Sequence, residues 1–232
     1  MTLYLRQISY KFHHEETIMN IQKNTTDKTK MTVFTITRVA LCAAVICVLG
    51  PISFHIPISP VPISLGVLGI YLAVYTGGWL YGTLSVAIYL LIGFAGLPVF
   101  TDFTAGITKL AGPTGGYLLG YIPLALIAGF FISKFENKIP LHVLGMILGT
   151  LVCYAFGTVW LSVSLKMSLP AALMAGVIPY IPADIIKMII AIGVGIPVRK
   201  PFERCFKRCL SLLGTQGNYH FSSKYFAFKF VL

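Results

Sequence analysis

The sequence predicts an all-α integral membrane protein, a bundle of six transmembrane helices with both termini in the cytoplasm. The first observation behind this fold class is composition. The chain of 232 residues is 56% hydrophobic and 11% charged, and its mean hydropathy is +0.83, whereas an average soluble domain is about 25% charged. An ordinary water-soluble enzyme is therefore excluded, and 16 Phe and 12 Tyr contradict the composition of a disordered chain.

The second observation is that charged residues avoid the middle of the chain. The 159 residues from Val39 to Pro197 carry eight charges, namely Asp102, Lys109, Lys134, Glu136, Lys138, Lys166, Asp184 and Lys187. A net charge of +11 suggests nucleic acid in a soluble domain, but basic flanks around an apolar middle indicate topology signals and anionic lipid. We therefore expect membrane lipid, and no nucleic acid, among the partners.

The apolar middle is long enough for six spans at about 20 residues each, loops included. We predict these spans at 35–49, 63–76, 79–97, 114–132, 141–163 and 182–197. Gly77 and Gly78 give a tight turn between the second and third spans, and a short helix is expected over 171–178. The chain is accordingly divided into a polar cytoplasmic N-terminal extension (1–32), a membrane domain (33–197) and a basic cytoplasmic tail (198–232). In the tail, residues 199–213 have the spacing of an amphipathic helix on the inner leaflet.

The third observation is the side on which basic residues fall. The N-terminal flank, the link after the fourth span and the tail together hold 15 Lys and Arg, whereas the opposite side holds Lys109 and Lys166. The positive-inside rule places the richer side, and so both termini, in the cytoplasm of a cell-membrane protein.

Asp184 and Lys187 are the strongest candidates for a binding site. They are the two charged residues predicted to lie within a span beyond its first turn, and a spacing of three places them on one helix face. Ionisable groups in hydrocarbon generally face a cavity or a partner. The pair predicts a polar ligand site, in which Asp184 accepts hydrogen bonds from N–H groups of the ligand and Lys187 attracts an anion. A self-neutralising structural pair is the alternative.

Two further segments could contribute to such a site. The stretch GPTGGYLLGY (112–121) combines a proline at a helix start with glycines, which favour either tight helix packing or a cavity wall. Packing is the simpler interpretation of this segment alone. The preceding loop adds Asp102, Phe103 and Lys109 as candidate lid residues.

Ala40 and Ala44 form a stripe of small residues on the first span, suited to packing within the bundle or to docking of a separate subunit. The five cysteines and five histidines have no metal-ligand spacing, so we expect neither a metal nor a cofactor. The chain has no P-loop and no hydrolytic signature. We therefore expect a protein that is not an enzyme, and any ATP hydrolysis would belong to partner subunits.

Four motifs together resemble the BioY family. They are PVPIS (60–64), GLPVF (96–100), GPTGGYL (112–118) and PADIIK (182–187), in the family's order and spacing. BioY proteins are the biotin-binding S components of energy-coupling-factor (ECF) transporters. The resemblance implies a six-span bundle that captures biotin from outside and works with a transmembrane T component and ABC-type ATPases.

The resemblance also assigns roles to residues. Asp184 and Lys187 match the family's D-x-x-K ligand motif, Thr114, Gly115, Gly116 and Tyr117 match its Gly-rich binding segment, and Ala40 and Ala44 resemble its docking stripe for the T component. Either Lys187 or Lys109 could meet the biotin carboxylate. A stand-alone secondary transporter or channel for biotin or another small vitamin is the alternative function.

Overall fold

The computed structural model describes residues 33–55, 62–135 and 138–212. The chain divides into two compact units, Met1–Thr37 and Arg38–Leu232, and the described part of the first unit is the opening of the first helix. The predicted extension 1–32 and the tail beyond Leu212 lie outside the described residues. The elements in chain order are helix α1 (Val33–Leu49), strands β1 (Ser53–Phe54) and β2 (Ile63–Ser64), helix α2 (Gly66–Phe94), a 3-10 turn (Thr101–Phe103), helices α3 (Ile107–Ala111), α4 (Gly115–Lys134), α5 (Ile139–Leu165) and α6 (Leu169–Gly176), a 3-10 turn (Ile178–Tyr180) and helix α7 (Ile181–Leu212).

The predicted helical membrane fold is confirmed in its main feature. Four helical stretches of the described chain are long and apolar enough to cross a membrane: α2, α4, α5 and the stretch Leu169–Phe202. Large apolar side chains also point outward, for example Val163 at 73% and Ile189 at 64% exposure. Such a surface is unfavourable in water and natural in lipid.

The predicted turn at Gly77 and Gly78 interrupts α2. Gly78 has φ 74° and ψ −175°, a region that only glycine enters readily. A Cβ on Gly82 would stand 2.8 Å from the Cα of Val74. In a straight helix, two residues eight positions apart would instead be separated by about 12 Å. The chain therefore reverses at Gly78, and α2 consists of two helical segments packed against each other.

Arg38 of α1 completes this turn. The interruption removes the helical partner of the Thr76 carbonyl, and Arg38 donates to that oxygen through Nε at 3.0 Å and through Nη2. The guanidinium also lies 5.6 Å from the ring of Tyr81 and 5.8 Å from that of Phe202. A single side chain thus connects α1 with both segments of α2 and with α7.

Close contact between α4 and α5 depends on glycines. A Cβ on Gly120 would stand 3.0 Å from the Cα of Cys153, and one on Gly149 would stand 2.9 Å from the carbonyl oxygen of Leu124. For Gly120, the structure supports helix packing, the simpler interpretation of the segment 112–121. Helix α4 also packs against α2, and α7 packs against α2.

Helix α7 differs from the predicted sixth span because it does not stop at Pro197. It runs to Leu212 through Pro197 and Pro201, and its length of about 48 Å exceeds the roughly 30 Å of the hydrocarbon core. The predicted tail helix is therefore the continuation of α7. The apolar face that the spacing predicts for this helix consists of Phe202, Phe206, Leu210 and Leu213. The side chains of Phe206 and Leu210, and Leu213 as a whole, lie outside what the structure describes.

Near Arg199 of α7, side chains distant in sequence cap α4. Arg199 donates to the Ile132 carbonyl at 3.3 Å, and His142 Nε2 lies 2.9 Å from the Phe135 carbonyl oxygen. The last carbonyls of a helix lack intrahelical partners, and here α7 and α5 provide them. This network fixes the end of the bundle opposite to the site described below.

The connections at the other end contain regular structure that the sequence does not predict. The proline-rich segment after α1 forms an antiparallel pair with Ser53 opposite Ser64, and the loop 98–113 contains α3 and a 3-10 turn. The short helix expected over 171–178 is present as α6. These elements cover the starts of α2, α4 and α7, and a cavity lies among them.

Candidate functional site

A cavity opens at this end of the bundle, between the starts of α2, α4 and α7 and the second half of α5. Its described lining combines charged, hydroxyl, aromatic and small apolar groups: Pro62, Ser64, Val67, Thr101, Thr114, Tyr117, Leu118, Tyr121, Leu124, Thr150, Cys153, Tyr154, Gly176, Tyr180, Asp184 and Lys187. A few polar groups among apolar and aromatic walls are typical of a small-molecule site.

Asp184 and Lys187 form a buried ion pair in the cavity wall. The first turn of α7 carries Asp184, where the helix dipole favours a carboxylate, and Lys187 follows one turn later. Lys187 Nζ donates to Asp184 Oδ1 at 2.8 Å, and the two residues are 6% and 5% exposed. Burial of two charges is tolerated because each neutralises the other.

Tyr154 of α5 completes the arrangement by donating its hydroxyl hydrogen to Asp184 Oδ2. Among the described residues, each carboxylate oxygen therefore has one protein donor. Since a carboxylate offers about four acceptor positions, Asp184 retains capacity for further N–H donors. The cluster thus presents an acceptor and a donor side by side while its net charge is zero.

Tyr117 joins α4 to α5 and α6 at the cavity wall. Its hydroxyl donates to the Gly176 carbonyl at 2.8 Å. A Cβ on Gly157 would stand 2.5 Å from the Tyr117 Cζ, so the ring needs a glycine on α5 to reach this position. Because Gly157 lies against the ring and Gly176 holds its hydroxyl, Tyr117 presents a fixed aromatic surface to the cavity.

The strand pair and the following loop meet beside the cavity. Asp102 accepts from the Ser53 hydroxyl and lies 3.2 Å from His55 Nε2. Its backbone is left-handed, with φ 62°. Its neighbour Thr101 lines the cavity, as does Ser64 on the strand opposite Ser53. Asp102 therefore connects two segments that border the site.

The predicted site residues fall into two groups. Asp184, Lys187, Thr114 and Tyr117 line the cavity together. Five others lie outside this lining: Gly115, Gly116, Asp102, Phe103 and Lys109. Gly115 and Gly116 let α4 approach Leu110 and Trp160, Phe103 is 70% exposed, and Lys109 lies half-buried on α3. The docking candidates Ala40 and Ala44 are both exposed on α1.

Sequence reasoning missed several lining residues, among them Ser64, Thr101, Tyr121, Thr150 and Tyr154. One local signal was present: Thr150 and Tyr154, like Tyr117 and Tyr121, are four residues apart and so share a helix face. Nothing in the sequence shows which face turns inward on an apolar helix, because both faces have the same character. Within the described ranges no cluster of metal-ligating side chains occurs.

Comparison with known proteins identifies the family. The BioY family matches residues 22–204 of this sequence, which is most of the chain. The chain belongs to the BioY family. The BioY resemblance of the four motifs is thereby confirmed.

Two curated relatives illustrate the similarity. The chain is 43% identical over 102 residues to "Biotin transporter BioY" of Thermotoga maritima, covering 44% of this chain and 60% of that protein. It is 36% identical over 130 residues to "Biotin transporter BioY2" of Lactococcus lactis, covering 56% of this chain and 70% of that protein. Like these transporters, this BioY chain is a multi-pass membrane protein of the cell membrane.

A solved structure has the same fold. The crystal structure of an S component for biotin from an ECF-type ABC transporter superposes with a TM-score of 0.68 at 30% sequence identity. The superposition covers 74% of this chain and 93% of that protein. This BioY chain is therefore built like that S component for biotin.

Proposed function

We propose that this chain is the biotin-binding S component of an ECF-type vitamin uptake transporter. The observation that carries the proposal is the buried Asp184–Lys187 pair in the wall of the cavity. Family membership and the names of the relatives support biotin as the ligand. A neutral pair of one acceptor and one donor suits an uncharged polar group better than an ion, and biotin carries such a group in its ureido ring.

The pair suggests how biotin is oriented. The ureido N–H groups donate to Asp184, and the ureido carbonyl accepts from Lys187, whose charge is already balanced by Asp184. Tyr117 and the other aromatic side chains of the wall contact the apolar ring system. Asp184 and Lys187 thus bind one end of the ligand, and the valerate chain extends away from them.

The carboxylate then lies near the entrance, where Thr101 and Thr114 contribute hydroxyl groups. Of the two lysines that the sequence leaves open, we assign the carboxylate to Lys109. Lys187 Nζ is bound to Asp184, whereas Lys109 lies on α3, beside the start of α4. Its long side chain can approach a ligand at the entrance.

We further propose six spans: α1, the two segments of α2, α4, α5 and α7. The 15-to-2 distribution of basic residues supports this count, with both termini in the cytoplasm and the cavity on the outer side. The exposed Ala40 and Ala44 then belong to the surface that docks the T component, and ABC-type ATPases complete the transporter. The basic end of α7 lies against anionic lipid of the inner leaflet.

Titration of the purified chain with biotin tests the binding function. Trp160 lies at the cavity end, where its Nε1 donates to the Gly112 carbonyl at 3.0 Å, and Trp79 lies at the turn of α2, at the opposite end. On addition of biotin, we expect a saturable change in tryptophan fluorescence in a Trp79→Phe variant, which retains Trp160. A Trp160→Phe variant, which retains Trp79, should show no change. Calorimetry should detect binding to both variants. Absence of calorimetric binding to the folded wild type would refute the proposal.

Reconstitution in vesicles tests the transporter context. The proposal expects ATP-dependent biotin uptake when T and ATPase subunits are present, and none by the isolated chain. Uptake by the isolated chain would favour the stand-alone transporter instead. Accessibility labelling should find a cysteine at position 138 from the inside and one at position 109 from the outside.

A further inference from the structure

Tyr121 is a buried tyrosine whose hydroxyl has no hydrogen-bond partner among the described residues. It lies one turn after Tyr117 on α4, is 7% exposed and lines the cavity. No hydrogen bond joins its hydroxyl to any residue within 33–55, 62–135 or 138–212. The side chain is thus buried as a whole, while its hydroxyl has no protein partner among these residues and belongs to a side chain that lines the cavity.

Other tyrosines near the cavity have partners. Tyr154 donates to Asp184, Tyr117 donates to the Gly176 carbonyl, and the Tyr71 hydroxyl lies 2.6 Å from Thr150 Oγ1. Buried phenol groups usually have such a partner, because a desolvated hydroxyl without one is unfavourable. Tyr121 therefore differs from its neighbours, and a ligand or a water molecule in the cavity would supply the hydrogen bond that its hydroxyl lacks.

Space beside the hydroxyl is maintained by a glycine. A Cβ on Gly66, the first residue of α2, would lie 3.2 Å from Ser64 Oγ and 3.7 Å from the Tyr121 hydroxyl oxygen, so any side chain at position 66 would occupy space beside that hydroxyl. The absence of a side chain there keeps the surroundings of the hydroxyl open. Ser64 and Val67, which are close to Gly66 in the sequence, both line the cavity.

We propose that Tyr121 contacts the ligand directly and determines specificity, by donating its hydroxyl hydrogen to an acceptor on the ligand's ring system. The inference rests on the proposed biotin-binding function and adds a residue to it. Asp184 supplies the acceptor and Lys187 the charged donor, and Tyr121 supplies a neutral donor from α4. A small heterocycle with a urea oxygen or a thioether sulfur is the class of ligand that such a wall selects.

The test compares Tyr121→Phe with Tyr71→Phe, two variants that each remove one buried phenol hydroxyl. Tyr121→Phe should leave the melting temperature of the ligand-free protein unchanged or higher, because it removes a hydroxyl without a protein partner. It should weaken biotin binding about tenfold, equivalent to about 1.4 kcal/mol. Tyr71 is not part of the described lining, so Tyr71→Phe should lower the melting temperature and leave the affinity of the folded protein unchanged.

The acceptor is identified by repeating the titration with desthiobiotin, which lacks the sulfur. A tenfold loss that persists with desthiobiotin assigns the urea oxygen, and a loss that disappears assigns the sulfur. Wild-type affinity of Tyr121→Phe for biotin, or failure of that variant to fold, would overturn the inference. If the folded wild type itself does not bind biotin, the proposed function fails first, and the two failures are thereby distinguished.

Discussion

Gly116 of α4 lies directly against Trp160 of α5. A Cβ at position 116 would stand 2.8 Å from the Trp160 Cγ and 2.7 Å from the Phe156 carbonyl oxygen, distances that a methyl group cannot occupy. The same tryptophan donates its indole hydrogen to the Gly112 carbonyl. One side chain of α5 therefore contacts α4 and the residues just before it, close to Thr114 and Tyr117 in the cavity wall.

Gly116→Ala should therefore separate α4 from α5 and destabilise the protein. Overpacking of a close contact costs about 1–3 kcal/mol, and the displacement should also weaken biotin binding. Gly193→Ala is the matched control, because a Cβ at Gly193 meets nothing within 4 Å and alanine favours helix. Thermal unfolding in detergent measures both, and equal melting temperatures would contradict the packing role of Gly116.

How far the sequence predicts this molecule depends on the range of the interactions. A charged residue in an apolar segment is costly wherever it lies, so Asp184 and Lys187 could be identified without any partner. The end of α1 at Leu49 and the turn at Gly78 were likewise predictable, because glycine acts locally. Tyr154 could not be assigned to Asp184, since 30 residues separate them in sequence and the contact exists only once α5 and α7 are placed.

The differences between prediction and structure have related physical causes. Helix α7 continues through Pro197 because the loss of one hydrogen bond in a long helix can be compensated by its surroundings. The pairing of β1 with β2 and the helix α3 depend on the scaffold beneath them. Six spans and cytoplasmic termini stay predictions, as do the ligand contacts of all the predicted site residues, both those that line the cavity and those that lie outside its lining.

Thr158 offers a test of an unpaired buried hydroxyl. Its side-chain oxygen is buried and has no hydrogen-bond partner among the described residues, which costs about 1–3 kcal/mol. Thr158→Val removes the hydroxyl at nearly constant shape, so we expect the melting temperature to rise by about 2–4 °C per kcal/mol gained. Thr150→Val is the control, because it breaks the hydrogen bond to Tyr71. Its melting temperature should fall. A lower melting temperature for Thr158→Val would indicate a bound water or another partner at this hydroxyl.

Asp102 should control how tightly the strand pair is held over the cavity. Asp102→Gly keeps the left-handed backbone accessible while removing the contacts to Ser53 and His55. We expect it to release bound biotin several-fold faster, with little change in melting temperature because the contacts lie partly in solvent. Asp102→Asn retains an acceptor and tolerates the left-handed conformation, so its release rate should be intermediate. Chase of labelled biotin measures these rates, and identical rates in all three proteins would show that the contact does not restrain the site.

The Asp184–Lys187 pair allows its structural and ligand roles to be separated by a double-mutant cycle. Asp184→Asn and Lys187→Met each leave one buried charge unpaired, which costs about 3–5 kcal/mol, so both should lower the melting temperature strongly. The double variant carries neither charge and should regain much of that stability. If the pair also binds the ureido group, the double variant nevertheless loses at least tenfold in biotin affinity, since hydrogen bonds to charged groups contribute about 1.5–3 kcal/mol each. Recovery of both stability and affinity would instead mean that the pair is structural only.

Comparison of biotin with its uncharged amide tests which lysine meets the carboxylate. Lys187→Met should weaken the binding of biotin and of its amide equally, whereas Lys109→Ala should weaken the binding of biotin alone. The reverse pattern would assign the carboxylate to Lys187 and invert the proposed orientation of the ligand.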